Sequence, residues 1–427
     1  MSTPAVLPLH RRLLRYLRRS WWPYILAIGP GMLAASAGND AGGIATYASA
    51  GAAYGYSLLW IMVLITVAVA IVQEMSARLG AVTGKGFADL VRENFPIRMT
   101  AFIMLTLLLA NTGIIVSEFV GIAAAAELFG VSRYVAVPLA AFLMWFVITR
   151  GSYDRVEQFL LVLSAVFLAY VASAIMVKPD PQDILAGLQP VLHGESAYIK
   201  IIVALVGTTI SPYMQLYVQS SVVEKGVSIG EFRYTRVDVF VGTLLAGIVA
   251  TCIIIATAAT LHPQGIVIET AADAAMALAP IAGKYATELF GIGLLGASLL
   301  AAGILPLSTT YMLSESLGFE RGVSRSWQEA PVFMGVFTVL IVFGAVIALI
   351  PGLPLISVLV GVYVINGLLL PIELLAIVSL INNKEIMGNY VNGRFHNILV
   401  WTIVGAVSLL SLIYIGWQMF EWVMPVK

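Results

Sequence analysis

The amino-acid sequence predicts an all-α integral membrane protein with eleven transmembrane helices. Of its 427 residues, 60% are hydrophobic and only 11% are charged, whereas an ordinary soluble domain carries about 25% charged residues. Apolar segments long enough to cross about 30 Å of hydrocarbon recur along the whole chain. The basic residues also collect on one side of the topology that these segments define.

The predicted spans follow one another with short connections. In order they are 23–47, 57–80, 100–126, 134–149, 155–177, 198–223, 237–260, 287–317, 331–350, 354–381 and 396–421. We divide the chain accordingly into a basic N-terminal segment (1–22), a first set of five helices (23–177), a second set of five (198–381) and an additional span (396–421). No connection is long enough for a soluble domain, so function must reside within the membrane or at its surfaces.

The distribution of basic residues orients these helices. With the N-terminus inside, 18 of the 23 basic residues fall in cytoplasmic segments, as the positive-inside rule requires. We therefore expect a multi-pass plasma-membrane protein with a cytoplasmic N-terminus and an external C-terminus. The cytoplasmic basic residues are Arg11, Arg12, Arg15, Arg18, Arg19, Arg78, Lys85, Arg92, Arg98, Arg150, Arg155, Lys225, Arg233, Arg236, Arg321, Arg325, Lys384 and Arg394.

Span 1 contains a helix-breaking sequence with a carboxylate at its centre. Residues 38–43 read Gly-Asn-Asp-Ala-Gly-Gly, and each glycine weakens a helix by about 1 kcal/mol relative to alanine. Irregular backbone at membrane depth survives only inside protein or beside a wet cavity. Free carbonyls next to Asp40 would suit a hard cation, which prefers oxygen ligands. A tight helix crossing with Asp40 protonated or paired is the alternative.

Span 6 carries a second break, at Pro212, which removes a backbone hydrogen bond and frees carbonyls near Thr208. A simple proline kink would explain this break alone. However, spans 1 and 6 open the two successive sets of five helices. Matching interruptions in the two halves indicate a midplane binding site in a transporter built from inverted repeats.

At these residues the chain resembles the NRAMP family of divalent metal transporters, and the resemblance extends over nearly the whole sequence. It implies a LeuT-type fold of two inverted five-helix repeats with helices 1 and 6 interrupted. The motifs that carry it are Gly-Pro-Gly at 29–31, the stretch 40–46, Gln-Glu-Met at 73–75 with Ala-Arg-Leu-Gly at 77–80, Thr-Gly-Lys-Gly at 83–86, Leu-Leu-Pro at 369–371 and the run 382–388.

The departures from the family pattern are informative. The family's Asp-Pro-Gly-Asn motif in span 1 is Asp-Ala-Gly-Gly here, at 40–43, so the carboxylate stays and an amide ligand is lost. The Met-Pro-His motif of span 6 is Ser-Pro-Tyr, at 211–213, so a hydroxyl replaces a soft thioether. Soft ligands favour transition metals, whereas Mg²⁺ keeps several waters and binds through one or two carboxylates. The pattern resembles the branch of NRAMP-related magnesium transporters.

We therefore predict a metal site without a resident cofactor, in which the metal ion is the transported substrate. Tyr363 and Asn366 in span 10 are further candidates to face the ion. The predicted metal-binding residues are Asp40, Asn39, Gly43, Thr208 and Ser211.

Proton coupling is not expected. Tyr213 stands where the family has a histidine and does not change charge near neutral pH, and span 9 contains no basic residue. Glu118 in span 3 is equally consistent with a remnant of a proton route and with a cavity lining. We expect passive uptake driven by the membrane potential, which is worth about 2.3 kcal/mol per charge at 100 mV.

Three functional hypotheses follow. The preferred one is a uniporter-like carrier of Mg²⁺, and of Mn²⁺ in addition, that works by alternating access. A proton-coupled Mn²⁺ or Fe²⁺ importer is the first alternative, and an amino-acid symporter on the same fold is the second. The sequence holds no cluster of nucleophile and base that would indicate an enzyme and nothing that indicates a nucleic-acid partner, and it leaves the oligomeric state open.

Overall fold

The computed structural model describes residues 30–150, 162, 168–191, 194–276, 286–323 and 325–423. These residues are helical, without a β-strand among them, so the predicted all-α class is confirmed. The helices are α1 (Pro30–Ala37), α2 (Ala41–Tyr54), α3 (Leu59–Thr83), α4 (Phe87–Asn94), α5 (Ile97–Leu128), α6 (Arg133–Arg150), α7 (Leu168–Met176), α8 (Pro181–Gly187), α9 (Ser196–Thr209), α10 (Pro212–Glu224), α11 (Phe232–Thr260), α12 (Ala271–Met276), α13 (Ala286–Leu317), α14 (Pro331–Ala348), α15 (Leu355–Ile381), α16 (Lys384–Met387) and α17 (Arg394–Val423).

Nine helical segments within the described ranges are long and apolar enough to cross a membrane. They correspond to predicted spans 2–4 and 6–11, with α9 and α10 together forming span 6. Span 1 is described from Pro30 onwards, as α1 and α2, and span 5 at 162 and in α7. The N-terminal segment 1–22 and the beginning of span 1 lie outside the described residues.

Both predicted helix breaks are present. α1 ends at Ala37 and α2 begins at Ala41, and Asp40 between them has an extended backbone and caps the N-terminus of α2. α9 ends at Thr209, and α10 begins with Pro212 as its first residue after the N-cap Ser211. Proline is well tolerated at this first helical position because its missing N–H would have no intrahelical partner there.

The bundle has two distinct ends, and one of them is rich in basic residues. At this basic end, Arg78 of α3 forms an ion pair with Glu74 one turn earlier, at 3.2 Å. The guanidinium of Arg236, from α11, also reaches Glu74 at 2.8 Å, and Arg78 donates to the Asn392 side chain at 2.5 Å. This network ties spans 2 and 7 to the connection between spans 10 and 11.

The short amphipathic helix α4 covers the basic end, and sequence analysis had assigned these residues only to a connection. It packs against α3, α5, α10, α13 and α15. The buried carboxylate of Glu315, at the end of α13, accepts hydrogen bonds from the Ala88 backbone N–H at 3.2 Å and from the Ser220 hydroxyl at 3.0 Å. Arg321 bridges Glu315 and Asp89. An acidic group at the first turn of α4 satisfies N–H groups that have no intrahelical partner.

The opposite end of the bundle is closed by short segments between spans. Here Tyr54 at the end of α2 packs edge-on against Tyr198 of α9, with ring centroids 4.9 Å apart. A ring nitrogen of His262, just after α11, lies 2.9 Å from the Ala52 carbonyl. The connections after spans 5 and 7 contain the short helices α8 and α12.

Two glycines let the second interrupted span approach α15 at backbone distance. A Cβ on Gly207 of α9 would lie 2.1 Å from the carbonyl oxygen of Tyr363, and one on Gly367 of α15 would lie 2.4 Å from the carbonyl oxygen of Val203. Such close approach between helices is typical of small residues in membrane bundles. It brings the polar residues of α15 next to the break between α9 and α10.

We predict that Gly367→Ala lowers the stability of the protein, by about 1–3 kcal/mol for overpacking, because the backbone of Val203 cannot move aside. The matched control is Gly361→Ala on the same helix, where an added Cβ meets nothing within 4 Å. Thermal unfolding in detergent measures both variants. Equal melting temperatures for the two would contradict the close crossing.

Candidate metal site

The break in span 1 gathers two buried carboxylates at the N-terminus of α2. The side chain of Asp40 accepts a hydrogen bond from the Gly43 backbone N–H at 2.7 Å. Glu118 of α5 accepts one from the Ala41 N–H at 3.2 Å. Both acids are fully buried. The free N–H groups and the dipole of α2 favour negative charge at this position, which explains how two acids share one helix end.

Two tyrosine hydroxyls complete the surroundings of Asp40. Tyr363 of α15 donates to Oδ2 of Asp40, and the hydroxyl of Tyr213 lies 3.3 Å from the same oxygen. Tyr213 also lies 2.7 Å from the carbonyl oxygen of Ala37, the last residue of α1. The Tyr363 ring fits because residue 42 is glycine: a Cβ there would lie 2.0 Å from the ring.

Oxygen atoms from both broken spans converge on Gly43. The Gly38 carbonyl oxygen, the Thr208 hydroxyl and Oδ1 of Asp40 lie 2.6, 2.9 and 3.0 Å from the position that a Cβ on Gly43 would take. The Thr208 hydroxyl is buried and has no protein hydrogen-bond partner in the described part of the chain. A carboxylate, a carbonyl and a hydroxyl around one point are the ligand types that hard divalent cations prefer. The structure thus brings Asp40, Gly43 and Thr208 together.

Ser211 contacts the Thr208 backbone but is not among the residues whose oxygen atoms surround Gly43. Its hydroxyl donates within span 6, with the Gly207 and Thr208 carbonyl oxygens at 2.6 and 3.0 Å. It also accepts a hydrogen bond from the Asn366 amide at 3.0 Å. Ser211 therefore satisfies carbonyls at the end of α9, and a direct contact with Asp40 is not seen.

The Asn39 side chain is not part of the Asp40 cluster. Its amide donates to the Ala246 carbonyl oxygen of α11 at 3.1 Å. Asn39 instead lines a separate cavity of about 10 Å³, roughly the space of one water, together with Gly38, Thr209 and Met214. The Met214 sulfur lies 3.5 Å from the Gln73 amide nitrogen. A thioether is thus present beside the break, although not at position 211.

Sequence analysis missed part of this arrangement. Tyr213 entered only as a replacement for a histidine, yet its hydroxyl bridges the end of α1 and Asp40. The sequence is equally consistent with a proton-route remnant and with a cavity lining at Glu118, and the structure adds that its carboxylate accepts a hydrogen bond at the N-terminus of α2. Tyr363 and Asn366 are candidates because the resembled family has a polar residue near these positions, and the structure shows that Tyr363 donates to Asp40.

The charge of this site is not balanced by protein cations. Among the described residues, no lysine, arginine or histidine forms an ion pair with Asp40 or Glu118. The same part of the chain holds no group of three or more His, Cys, Asp or Glu side chains that could bind a metal ion. Any cation here is therefore bound mainly by neutral oxygen atoms and one or two carboxylates.

Comparison with known proteins identifies the family. Residues 31–416 match the model of the family described as natural resistance-associated macrophage protein-like, Nramp. The chain belongs to this family. The Nramp chain is 30% identical to divalent metal cation transporter MntH 1 of Pseudomonas aeruginosa over 407 residues, which cover 91% of this chain and 90% of the relative. The relative is named as a transporter and not as an enzyme.

Solved structures support the fold. A manganese transporter of Eremococcus coleocola matches with a TM-score of 0.74 at 19% identity, covering 100% of this Nramp chain and 91% of that protein. Mhp1, a nucleobase-cation-symport-1 family transporter, matches with a TM-score of 0.56 at 15% identity, covering 91% and 92%. The predicted LeuT-type architecture with interrupted helices 1 and 6 is confirmed by these likenesses and by the two breaks.

We predict that Gly43→Ala weakens divalent-cation binding by about 10- to 100-fold, because the added methyl group would occupy the point on which three oxygen atoms converge. Calorimetric titration with Mg²⁺ and Mn²⁺ measures the affinity. Gly361→Ala is the control, because an added Cβ at that position meets nothing within 4 Å. Native affinity in Gly43→Ala would show that these oxygen atoms do not bind the ion.

Proposed function

We propose that the chain transports divalent metal ions, Mg²⁺ and in addition Mn²⁺, as a uniporter-like carrier that works by alternating access without proton coupling. The observation that carries this proposal is the set of oxygen atoms around Asp40 at the break of span 1. In this proposal the ion-binding residues are Asp40, Asn39, Gly43, Thr208 and Ser211, with Asn39 acting through its backbone. The MntH relatives are named divalent metal cation transporters, which supports the substrate class.

The chemistry of the Asp40 surroundings favours Mg²⁺. Two tyrosine hydroxyls, the Thr208 hydroxyl and the Gly38 carbonyl are hard donors, and neutral donors allow the ion to keep part of its water shell. Tyr213 occupies the position of the family histidine and offers no group that changes charge near neutral pH. The membrane potential would then drive uptake. In this proposal the N-terminus lies in the cytoplasm and the basic end of the bundle faces the cytoplasm.

One observation favours the first alternative, a proton-coupled importer of Mn²⁺ or Fe²⁺. The Met214 thioether lies beside Gly38, where a Cβ would be 3.4 Å from its sulfur. Sulfur ligands favour transition metals over Mg²⁺. However, Met214 lines the small cavity beside Asn39, and Asp40 is not among the residues that line that cavity. An amino-acid symporter fits less well, because Asp40 and Glu118 would repel the substrate carboxylate.

Flux measurements in proteoliposomes test the proposal. With reporters for Mg²⁺, Mn²⁺ and internal pH, we expect potential-driven influx of both metals without acidification. Asp40→Asn should abolish this flux because it removes the one carboxylate of the oxygen cluster, whereas Asp183→Asn, at an exposed carboxylate, should leave it unchanged. Manganese influx with acidification and without magnesium flux would overturn the preferred function, and full activity of Asp40→Asn would overturn the site.

A nearly isosteric change at Ser211 tests whether this residue faces the ion. We expect Ser211→Cys, in a Cys252→Ser background that removes the native cysteine, to increase the inhibition of Mg²⁺ flux by Cd²⁺ about tenfold, because a thiolate prefers soft metals. The Cys252→Ser protein is the control. If Cd²⁺ inhibits both proteins equally, Ser211 does not contact the ion and only forms its hydrogen bonds with Gly207 and Asn366.

A further inference from the structure

A further buried acid lies in the membrane-spanning bundle, away from the Asp40 site. Glu373 of α15 is 1% exposed, and neither of its carboxylate oxygens has a protein hydrogen-bond partner in the described ranges. Nor does any basic side chain of those ranges form an ion pair with it. Buried charges in proteins are normally paired or bind metals, so this residue requires an explanation.

The helix geometry places Glu373 on the face of α15 that serves the Asp40 site. It follows Asn366 by seven residues, which is close to two full turns and about 10.5 Å along the axis. Asn366 is bonded to Ser211 and to the Gly207 carbonyl, and Tyr363 on the same side donates to Asp40. Because α15 continues towards the Glu74 network and α16, Glu373 lies nearer the basic end than Asp40 does.

Amide groups without protein partners lie on the three helices between these acids. Both amide atoms of Asn111 on α5 and of Gln215 on α10 are unpartnered within the described chain, as is the side-chain oxygen of Asn366 on α15. All three residues are buried, and the three helices pack against one another in pairs. Gln215 lies one turn beyond Ser211, and Asn111 lies two turns from Glu118 on the same face, both in the direction of the basic end.

We propose that Glu373 is a second carboxylate position for the transported divalent cation, in the half of the route between Asp40 and the basic end. The proposal rests on the metal transport proposed above. A partly hydrated cation needs polar partners for its water shell, and unpartnered amides supply donors and acceptors without binding it tightly. Glu373 then provides the next negative charge, at a depth where an uncompensated cation is costly.

Glu373→Gln tests this role, because it removes the charge and keeps the size of the side chain. We expect the maximal rate of Mg²⁺ and Mn²⁺ flux in proteoliposomes to fall about fivefold or more, while the calorimetric affinity at the Asp40 site stays within about twofold of native. Glu385→Gln, at an exposed acid of the same end, is the matched control and should transport normally. Glu373→Asp keeps the charge and should retain more flux than Glu373→Gln.

Each other outcome would overturn the proposal. Native flux in Glu373→Gln, with or without a higher melting temperature, would make Glu373 a neutral packing residue. A native rate of metal flux in Glu373→Gln with an altered dependence of that rate on pH would make Glu373 a proton-binding residue and not a cation position. Should Glu373→Gln not fold, Glu373→Leu removes the carboxylate without leaving a buried amide unpartnered, and native rates in that variant would exclude the position. A failure of the proposed function is separate, since it would be seen in the native protein, as absent Mg²⁺ flux or as Mn²⁺ influx with acidification.

Discussion

The need to satisfy backbone polar groups at the break of span 1 organises this molecule. Hydrocarbon offers no hydrogen bonds, so the first N–H groups of α2 must find partners inside the protein. Asp40 and Glu118 supply them, and each donor–acceptor pair is close to ideal length. Two carboxylates are thereby held at membrane depth without a basic partner in the described chain. The helix end bears part of the electrostatic cost of holding these acids, and in the proposed function they attract the transported cation.

The second broken span supports the first through small residues. Gly207 and Gly367 let α9 and α15 meet at backbone distance. This contact places Tyr363 within hydrogen-bonding distance of Asp40, and Asn366 within hydrogen-bonding distance of Ser211. Preorganised side chains of this kind reduce the entropy that binding must overcome. Release of an ion, by contrast with binding, requires that one end of the helix bundle can open. The networks of Glu74 and of Glu315 hold the basic end together through exchangeable ion pairs and helix caps rather than through covalent or purely apolar contacts.

Metal preference in this fold depends on which atoms reach the break. Ser211 and Tyr213 bring hydroxyl groups to the second break, and hydroxyl oxygens are hard donors. Tyr213 keeps a place in the site through its hydroxyl, and the Met214 thioether brings sulfur to the neighbourhood of Gly38 in a separate cavity. Comparing sequence motifs shows which residue types differ, but it does not show the direction of each side chain.

The sequence by itself determined the all-α membrane class, the limits of most spans to within a few residues and the two breaks, because hydrophobic length, glycine and proline act locally. It also identified Asp40 as the carboxylate at the first break. Only the tertiary structure decided that Tyr213, Tyr363 and Glu118 meet at Asp40 while the Asn39 amide turns to α11, and that α4 covers the basic end. These contacts join residues tens to hundreds of positions apart, and no local preference of the chain specifies them.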